Sequence, residues 1–253
     1  MIDLADLIPA FVAVPAGPFL MGTPVTQLSE LAMRYGGTRE SYREEAPRHT
    51  LELAAFGIAV TPVTNALYAA YVAATDARAP VLWRGPSPPA SLLHHPVVDV
   101  NWHEVLAFCA WLSSQRPGPP LRLPSEAEWE RAARGSDGRT FPWGEHFEPR
   151  YANTRESAAA GTTAVTSYAE GASPVGVLGM AGNVWEWTLT LDAPYPYQPT
   201  DGREALDAPG RRIMRGGCYA NPHGFARCAC RFRLAPDVRN EFTGFRLAYT
   251  SSV

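Results

Sequence analysis

The C-terminal part of the sequence carries the residues best suited to chemistry. A segment of about residues 215–246 begins with Arg215–Gly217, ends with Gly244–Arg246, and is rich in arginine, cysteine and aromatic residues. It has neither the period of a helix nor the alternation of a strand. Its side chains could bind a metal, react as thiols or contact a ligand. Because both ends are predicted strands, we expect the segment to be an ordered surface.

The cysteines form no disulfide framework and no paired zinc pattern. Cys109 lies in a helical pattern and is expected to be a small buried apolar residue. Cys228 and Cys230 are spaced as C-x-C, which is too close for a usual zinc knuckle. In an extended strand their thiols would point to the same side, where they could bind Cu(I) as thiolates.

Ionisable residues elsewhere give weaker signals. Glu126, Glu128 and Glu130 fall in the first turns of a predicted helix, where carboxylates favour the positive end of the dipole. We prefer that structural interpretation to general acid–base catalysis. His223 is the one histidine of the C-terminal segment and could serve as a ligand or a base.

The run Gly182–Trp187 joins a glycine-containing turn to the carboxylate of Glu186. A carboxylate with nearby backbone carbonyls suits Ca²⁺, which takes six to eight oxygen ligands. Alternatively, Trp185 and Trp187 are core anchors and Glu186 pairs with an arginine. Spacing alone does not decide between these two interpretations.

Composition narrows the possible classes of protein. The 253 residues are 46% hydrophobic and include seven tryptophans, enough for the core of one domain spanning 1–253. The net charge of −3 gives no general attraction to nucleic acid or to an anionic membrane. The N-terminus has no signal-peptide pattern, and no apolar run reaches membrane-spanning length. We therefore expect a cytoplasmic protein that binds neither nucleic acid nor membrane.

Capping patterns predict three helices. They begin after Thr64, after Asn101 with Glu104 in a capping box, and after Ser125 with Glu128 in another. Short strands are predicted twice within residues 10–22, once each in 49–58, 97–100 and 164–168, and at both ends of the C-terminal segment. With 24 prolines and 21 glycines, the remainder is predicted to be loop, which gives an α+β fold.

Several motifs in order along the chain resemble the formylglycine-generating enzyme (sulfatase-modifying factor) family. The motifs are Val14–Gly22, Glu45–His49, Thr61–Asn65, His95–Trp102, Phe108–Trp111, Arg122–Glu130, Phe141–Gly144, Gly182–Trp187, Arg215–Gly217 and Gly244–Arg246. The resemblance implies a variant of the C-type lectin fold, with short irregular strands, about three helices and a high loop content.

The resemblance also bears on metals. Enzymes of this family bind copper through two cysteines, and the corresponding positions here, Asn221 and residues 225–226, hold none. We therefore expect no copper. The resemblance further implies a Ca²⁺ site formed by the Glu186 carboxylate and three backbone carbonyls, those of Ala181, Gly182 and Val184.

A non-enzymatic branch with the same fold consists of the variable proteins of diversity-generating retroelements, which display a variable C-terminal region. Mutation of adenines in asparagine codons can produce every residue type found from Tyr219 to Ala226, although not Glu241. We therefore predict a display protein that binds an unknown protein or other macromolecule. The predicted ligand surface comprises Tyr219, Ala220, Asn221, His223, Phe225, Cys230, Phe232, Leu234, Val238 and Phe242. The alternative is a metal-dependent oxidase, or a related family enzyme, that uses the same surface with Cys228 and Cys230.

Overall fold

A computed structural model describes residues 3–251 of the protein. The helices within this range are α1 (Leu4–Leu7), α2 (Leu28–Tyr35), α3 (Asn65–Thr75), α4 (Trp102–Ser114) and α5 (Glu126–Arg134). The three predicted helices are α3, α4 and α5. The one-turn α1 was not predicted. The helix α2 lies in a polar stretch for which the sequence predicts a surface loop with a helical turn around residues 28–34, and it is longer than that turn.

Sequence patterns placed the helix starts correctly because each depends on a local contact. The side chains of Thr64, Asn101 and Ser125 each accept a hydrogen bond from the backbone N–H three residues further on. Glu104 in α4 and Glu128 in α5 each accept a hydrogen bond from the backbone N–H of the cap residue. This second bond completes both capping boxes.

The strands are short, as expected. They are β1 (Phe11–Val14), β2 (Gly17–Met21), β3 (His49–Leu53), β4 (Phe56–Ala59), β5 (Trp185–Leu191), β6 (Arg212–Arg215), β7 (Phe232–Leu234), β8 (Thr243–Phe245) and β9 (Ala248–Thr250). The predicted strands at 97–100 and 164–168 are wrong, since both stretches are irregular. The single strand predicted in 49–58 is in fact two strands, and β5 was not predicted.

Three sheets are present in the described range. The first is an antiparallel sheet with the strand order β1-β4-β9, which brings together strands from the first and last parts of the described range. The second consists of β2 and β3. The third sheet has the order β7-β6-β5-β8, in which β5 and β8 are parallel. This sheet carries the C-terminal segment, because β6 begins before it and β7 and β8 lie within it.

The largest hydrophobic cluster lies where α3 and α4 meet the four-stranded sheet. Rings from the three elements make direct contact there: Tyr68 and Phe108 are stacked 5.5 Å apart, and Phe245 meets Phe108 edge-on at 5.3 Å. Aromatic pairs of this geometry add to the stabilisation from burial. These contacts hold the four-stranded sheet rigidly against α3 and α4.

Candidate ligand-binding site

A groove of about 230 Å³ opens over the four-stranded sheet. Each strand contributes one lining residue: Trp185 from β5, Met214 from β6, Phe232 from β7 and Thr243 from β8. The register explains their proximity, since Met214 lies opposite Phe232 and Trp185 lies opposite Thr243. The strand ends of the sheet therefore build the floor of the groove.

Aromatic rings dominate this surface. Phe232 stacks on Trp185 with ring centroids 5.3 Å apart, and Phe225 meets Trp185 edge-on at 6.4 Å. Tyr219 and Phe242 form a second pair at 5.5 Å. Phe225 and Phe232 stay 41% and 43% exposed, so their faces are available to a ligand. Exposed aromatic rings give a binding surface a large contact area at a low entropic cost.

Asn221 links two parts of the groove through hydrogen bonds to its side-chain oxygen. Its Oδ1 accepts a hydrogen bond of 2.8 Å from the Trp185 indole and one of 3.1 Å from the Cys218 thiol. The backbone N–H of Cys218 also points to this oxygen, at 3.3 Å. Asn221 therefore fixes both the indole and the loop that follows β6.

The structure brings together only part of the predicted ligand surface. Ala220, Asn221, Phe232 and Phe242 line the groove, and Tyr219 flanks it through Phe242. Phe225 and Cys230 line an adjacent cavity, to which Phe232 also contributes. Three residues lie apart from both: His223, Leu234 and Val238.

These three have other environments. Leu234 packs against the main core, and Val238 lies in an exposed loop after β7. The His223 ring bonds Glu156 at 2.8 Å and stacks on Phe147 at 4.4 Å. The backbone N–H of His223 also donates to Glu156. His223 thus anchors the 3₁₀ turn His223–Ala226, which carries Phe225.

Other lining residues were not in the predicted surface: Trp185, Met214, Cys218, Asn240 and Thr243. Trp185 lies in the conspicuous Gly182–Trp187 run, where it was considered as a core anchor. It is indeed 5% exposed, yet its ring forms the floor of the groove. Met214 and Thr243 could not have been found without the strand register.

Buried ion pairs hold the C-terminal segment in place. Arg227 makes a two-bond pair with Glu45, at 2.7 and 2.8 Å. Arg231 pairs with Glu126 at 2.6 Å, and Arg215 contacts both Glu126 and Glu130. All of these side chains are buried. Glu126 and Glu130 are therefore structural partners of arginines, a contact that the helix-dipole interpretation of the α5 glutamates did not include.

The environment of Glu186 does not fit a Ca²⁺ ion. Its carboxylate accepts bonds of 2.5 and 2.6 Å from Arg246 and one of 2.7 Å from the Trp129 indole. The guanidinium lies where a cation would have to bind and would repel it. The Gly182 carbonyl accepts from the Val184 N–H at 2.9 Å. The Ca²⁺ site expected from Ala181, Gly182, Val184 and Glu186 is thus replaced by the alternative, an arginine pair.

The C-x-C thiols do not form a common face. Cys228 and Cys230 lie in a turn rather than a strand, and they belong to different hydrophobic clusters. Burial raises the pKa of each thiol to about 12. Burial also raises the pKa of Cys218, the thiol that lines the groove. The thiols are therefore held in their neutral form, which is a poor metal ligand and nucleophile.

The α+β arrangement, with short strands, long loops and a groove built by the C-terminal segment, defines a C-type lectin-like fold of the formylglycine-generating enzyme type. The sulfatase-modifying factor enzyme 1-like domain model matches residues 3–251. The chain belongs to this family.

The chain is similar to formylglycine-generating enzymes and to one solved structure of a related bacterial protein. The formylglycine-generating enzyme of Streptomyces coelicolor is 32% identical, over 81% of this chain and 81% of that protein. The mouse formylglycine-generating enzyme is 33% identical over 66% of this chain but only 48% of its own length. PvdO from Pseudomonas aeruginosa superposes with a TM-score of 0.76 at 30% identity, covering 96% and 95% of the two chains.

A variable protein shares the fold as well. Treponema denticola variable protein 1 superposes with a TM-score of 0.73 at 22% identity, over 95% of both chains. At this identity the likeness shows the fold alone. Within residues 3–251, no helix has the length and apolar character needed to span a membrane.

Proposed function

We propose that the protein is a ligand-binding display protein whose C-terminal surface is diversified, as in the variable proteins that share its fold. Its ligand would be a protein or another macromolecule lying across the aromatic groove. Diversification requires that some residues of the segment can change without loss of the fold. The distribution of buried and exposed residues in the segment supports this proposal.

The main support for this proposal is a division of roles within the C-terminal segment. The residues that fix the segment to the rest of the protein are not the residues that face the solvent. Arg227 and Arg231 are buried in ion pairs with Glu45 and Glu126. Phe225 and Phe232 are half-exposed, and these ion pairs do not involve them. The backbone is thus fixed independently of the exposed side chains, which is what a display scaffold needs.

The test is the DNA beside the gene. We expect a near-identical repeat of codons 215–246, differing at adenines, next to a reverse transcriptase gene. Absence of both in the complete source genome would refute diversification. Ligand binding by the groove would then have to be shown by a direct binding measurement.

A second candidate is an oxidase related to the Streptomyces enzyme. It is favoured by the position of Cys218, whose thiol lines the groove beside Trp185. Against it, the positions that correspond to the family's copper ligands, near Asn221 and residues 225–226, hold no cysteine. Neither supplies the soft sulfur ligand that Cu(I) prefers.

The two candidates can be separated directly. The protein would be reconstituted with Cu(I) and incubated under air with a cysteine peptide that the Streptomyces enzyme modifies. Mass spectrometry would detect any formylglycine. We expect none, with the Streptomyces enzyme as the positive control. Turnover that is lost in Cys218→Ser would establish the oxidase.

A further inference from the structure

A second cavity, of about 300 Å³, lies beside the groove on the far side of Phe232. One wall belongs to the C-terminal segment, through Phe225, Phe232 and Cys230. The opposite wall comes from the first part of the chain, through Tyr35 at the end of α2 and Tyr42 in the 3₁₀ helix Arg39–Glu45. Its volume is at the lower end of the roughly 300–1,000 Å³ usual for ligand pockets.

The two walls are firmly joined. Arg227 lies between the rings of Tyr35 and Tyr42, 5.3 and 5.1 Å from their centres. Tyr35 also packs directly on Gly224, where an added Cβ would come within 2.8 Å of it. The Tyr42 hydroxyl donates to the Gly36 carbonyl at 2.7 Å. The cavity is therefore preformed and does not depend on a loop closing over it.

Charges around the cavity are already balanced. Arg227 is paired with Glu45, and Arg231 with Glu126. The remaining carboxylate, Glu44, pairs with Arg233. The Cys230 thiol is neutral at physiological pH, because burial raises its pKa to about 12. An ion entering here would find no free partner of opposite charge, whereas a neutral ring would contact aromatic surface on both walls.

We propose that this cavity is a specificity subsite that takes a neutral aromatic ring of the ligand lying in the groove. Phe232 lines both spaces, so one ligand can cross it and occupy them together. The inference rests on the proposed ligand-binding function. It adds the chemistry of one anchor group and brings the N-terminal residues Tyr35 and Tyr42 into the site.

Three naphthalene probes of equal size test the charge preference by calorimetry on the whole chain: 1-naphthylmethanol, 1-naphthylmethylammonium and 1-naphthoate. We expect the neutral alcohol to bind most tightly. Tighter binding of either ion, or no saturable binding of the alcohol, would overturn the proposal.

Two variants locate the bound ring. Phe225 lines only the second cavity and Phe242 only the groove. Loss of one aromatic contact should weaken the binding of 1-naphthylmethanol by about 2- to 10-fold in Phe225→Ala. Phe242→Ala, which removes a ring of the groove, should weaken this binding less than Phe225→Ala does. The control Val238→Ala, at a residue apart from both spaces, should stay within about two-fold of the wild type. If Phe225→Ala folds poorly, Phe225→Leu is used for the same binding measurement, because it removes the ring but keeps an apolar side chain.

The opposite pattern, with Phe242→Ala weakened and Phe225→Ala unchanged, would place the ring in the groove. That result would overturn this inference and leave the proposed function standing. The genomic repeat tests the proposed function separately, so the two failures can be told apart.

Discussion

The ring of Phe232 rests on the indole of Trp185, with the ring planes 28° apart. Trp185 is almost fully buried and Phe232 is 43% exposed, so a fixed ring supports an available one. The two residues belong to β5 and β7, which are separated by β6 in the sheet. The floor of the groove is thus built by the sheet, and the segments after β6 and before β8 supply its other lining residues.

Replacing Phe232 with alanine should uncover Trp185. We expect the free energy of unfolding to fall by only about 0.5–1.5 kcal/mol, since a half-exposed aromatic pair is lost. The tryptophan emission should shift to longer wavelength, as measured by fluorescence. The control Val238→Ala, at another exposed apolar residue, should show neither change.

The source of the shift can be checked in a Trp185→Phe background, where Phe232→Ala should no longer move the emission. A shift that persists there would mean that another of the seven tryptophans is responsible. The groove floor would then differ from the one described.

Arg246 should be essential to the fold because it neutralises Glu186. Both side chains are fully buried. Arg246→Met leaves a buried carboxylate without its cation, at a cost of about 3–5 kcal/mol in urea unfolding. The double variant Glu186→Gln/Arg246→Met should recover part of that stability, because the uncompensated charge is gone.

Calcium provides the complementary measurement on the wild type. If the arginine occupies the cation position, millimolar Ca²⁺ should leave the Tm unchanged relative to a chelator. A bound ion at about 100 times its Kd would add about 2.7 kcal/mol, which is easily seen. A clear rise in Tm that Glu186→Gln abolishes would contradict the arginine-pair interpretation.

Acid should weaken the turn that carries Phe225. Burial alone would raise the pKa of Glu156, but hydrogen bonds from His223 and Thr154 outweigh it and lower the pKa from 4.5 to about 2. A pKa lowered by folding stabilises the native state above the unfolded value, and this contribution is lost as pH falls. The advantage of wild type over Glu156→Gln should therefore shrink between pH 4.5 and 2.

Urea unfolding at several pH values measures this difference. Glu170→Gln, at an exposed glutamate, is the matched control and should show no comparable trend. An advantage that stays constant, or grows with acidification, would show that the Glu156–His223 contact is not formed as described.

The thiols should resist alkylation in the native state. Burial raises the pKa of Cys109, Cys228 and Cys230 to about 12, so almost no thiolate is present at pH 8. Mass spectrometry after brief iodoacetamide treatment should show little labelling of the folded protein and labelling of all four cysteines in guanidinium. Rapid native labelling of Cys230 would contradict its burial and revive thiol-based chemistry.

Sequence patterns succeeded where structure is set locally. The caps at Thr64, Asn101 and Ser125 were predicted correctly because each involves residues three apart. The fold followed from motifs spread over nearly the whole chain. By contrast, β5 was missed although Trp185–Leu191 alternates apolar and polar residues as a strand does. Its polar residues Glu186, Thr188 and Thr190 are buried because their partners lie far away in the sequence.

The candidate site was predictable only in outline. Ala220, Asn221, Phe232 and Phe242 do line one groove. His223 was misplaced because its partner, Glu156, lies 67 residues away. Arg246 was likewise not recognised as the partner of Glu186, since only the parallel pairing of β5 and β8 brings them together. Long-range pairing of this kind leaves no mark in sequence spacing.

Diversification of the C-terminal segment requires that its exposed residues vary while the buried ones stay fixed. The most direct measurement is deep sequencing of this gene across many isolates of its source. Codons for Tyr219, Ala220, Phe225 and Phe232 should differ between isolates, and those for Arg215, Arg227 and Arg231 should not. An identical segment in every isolate, or substitutions spread evenly along the chain, would contradict the claim.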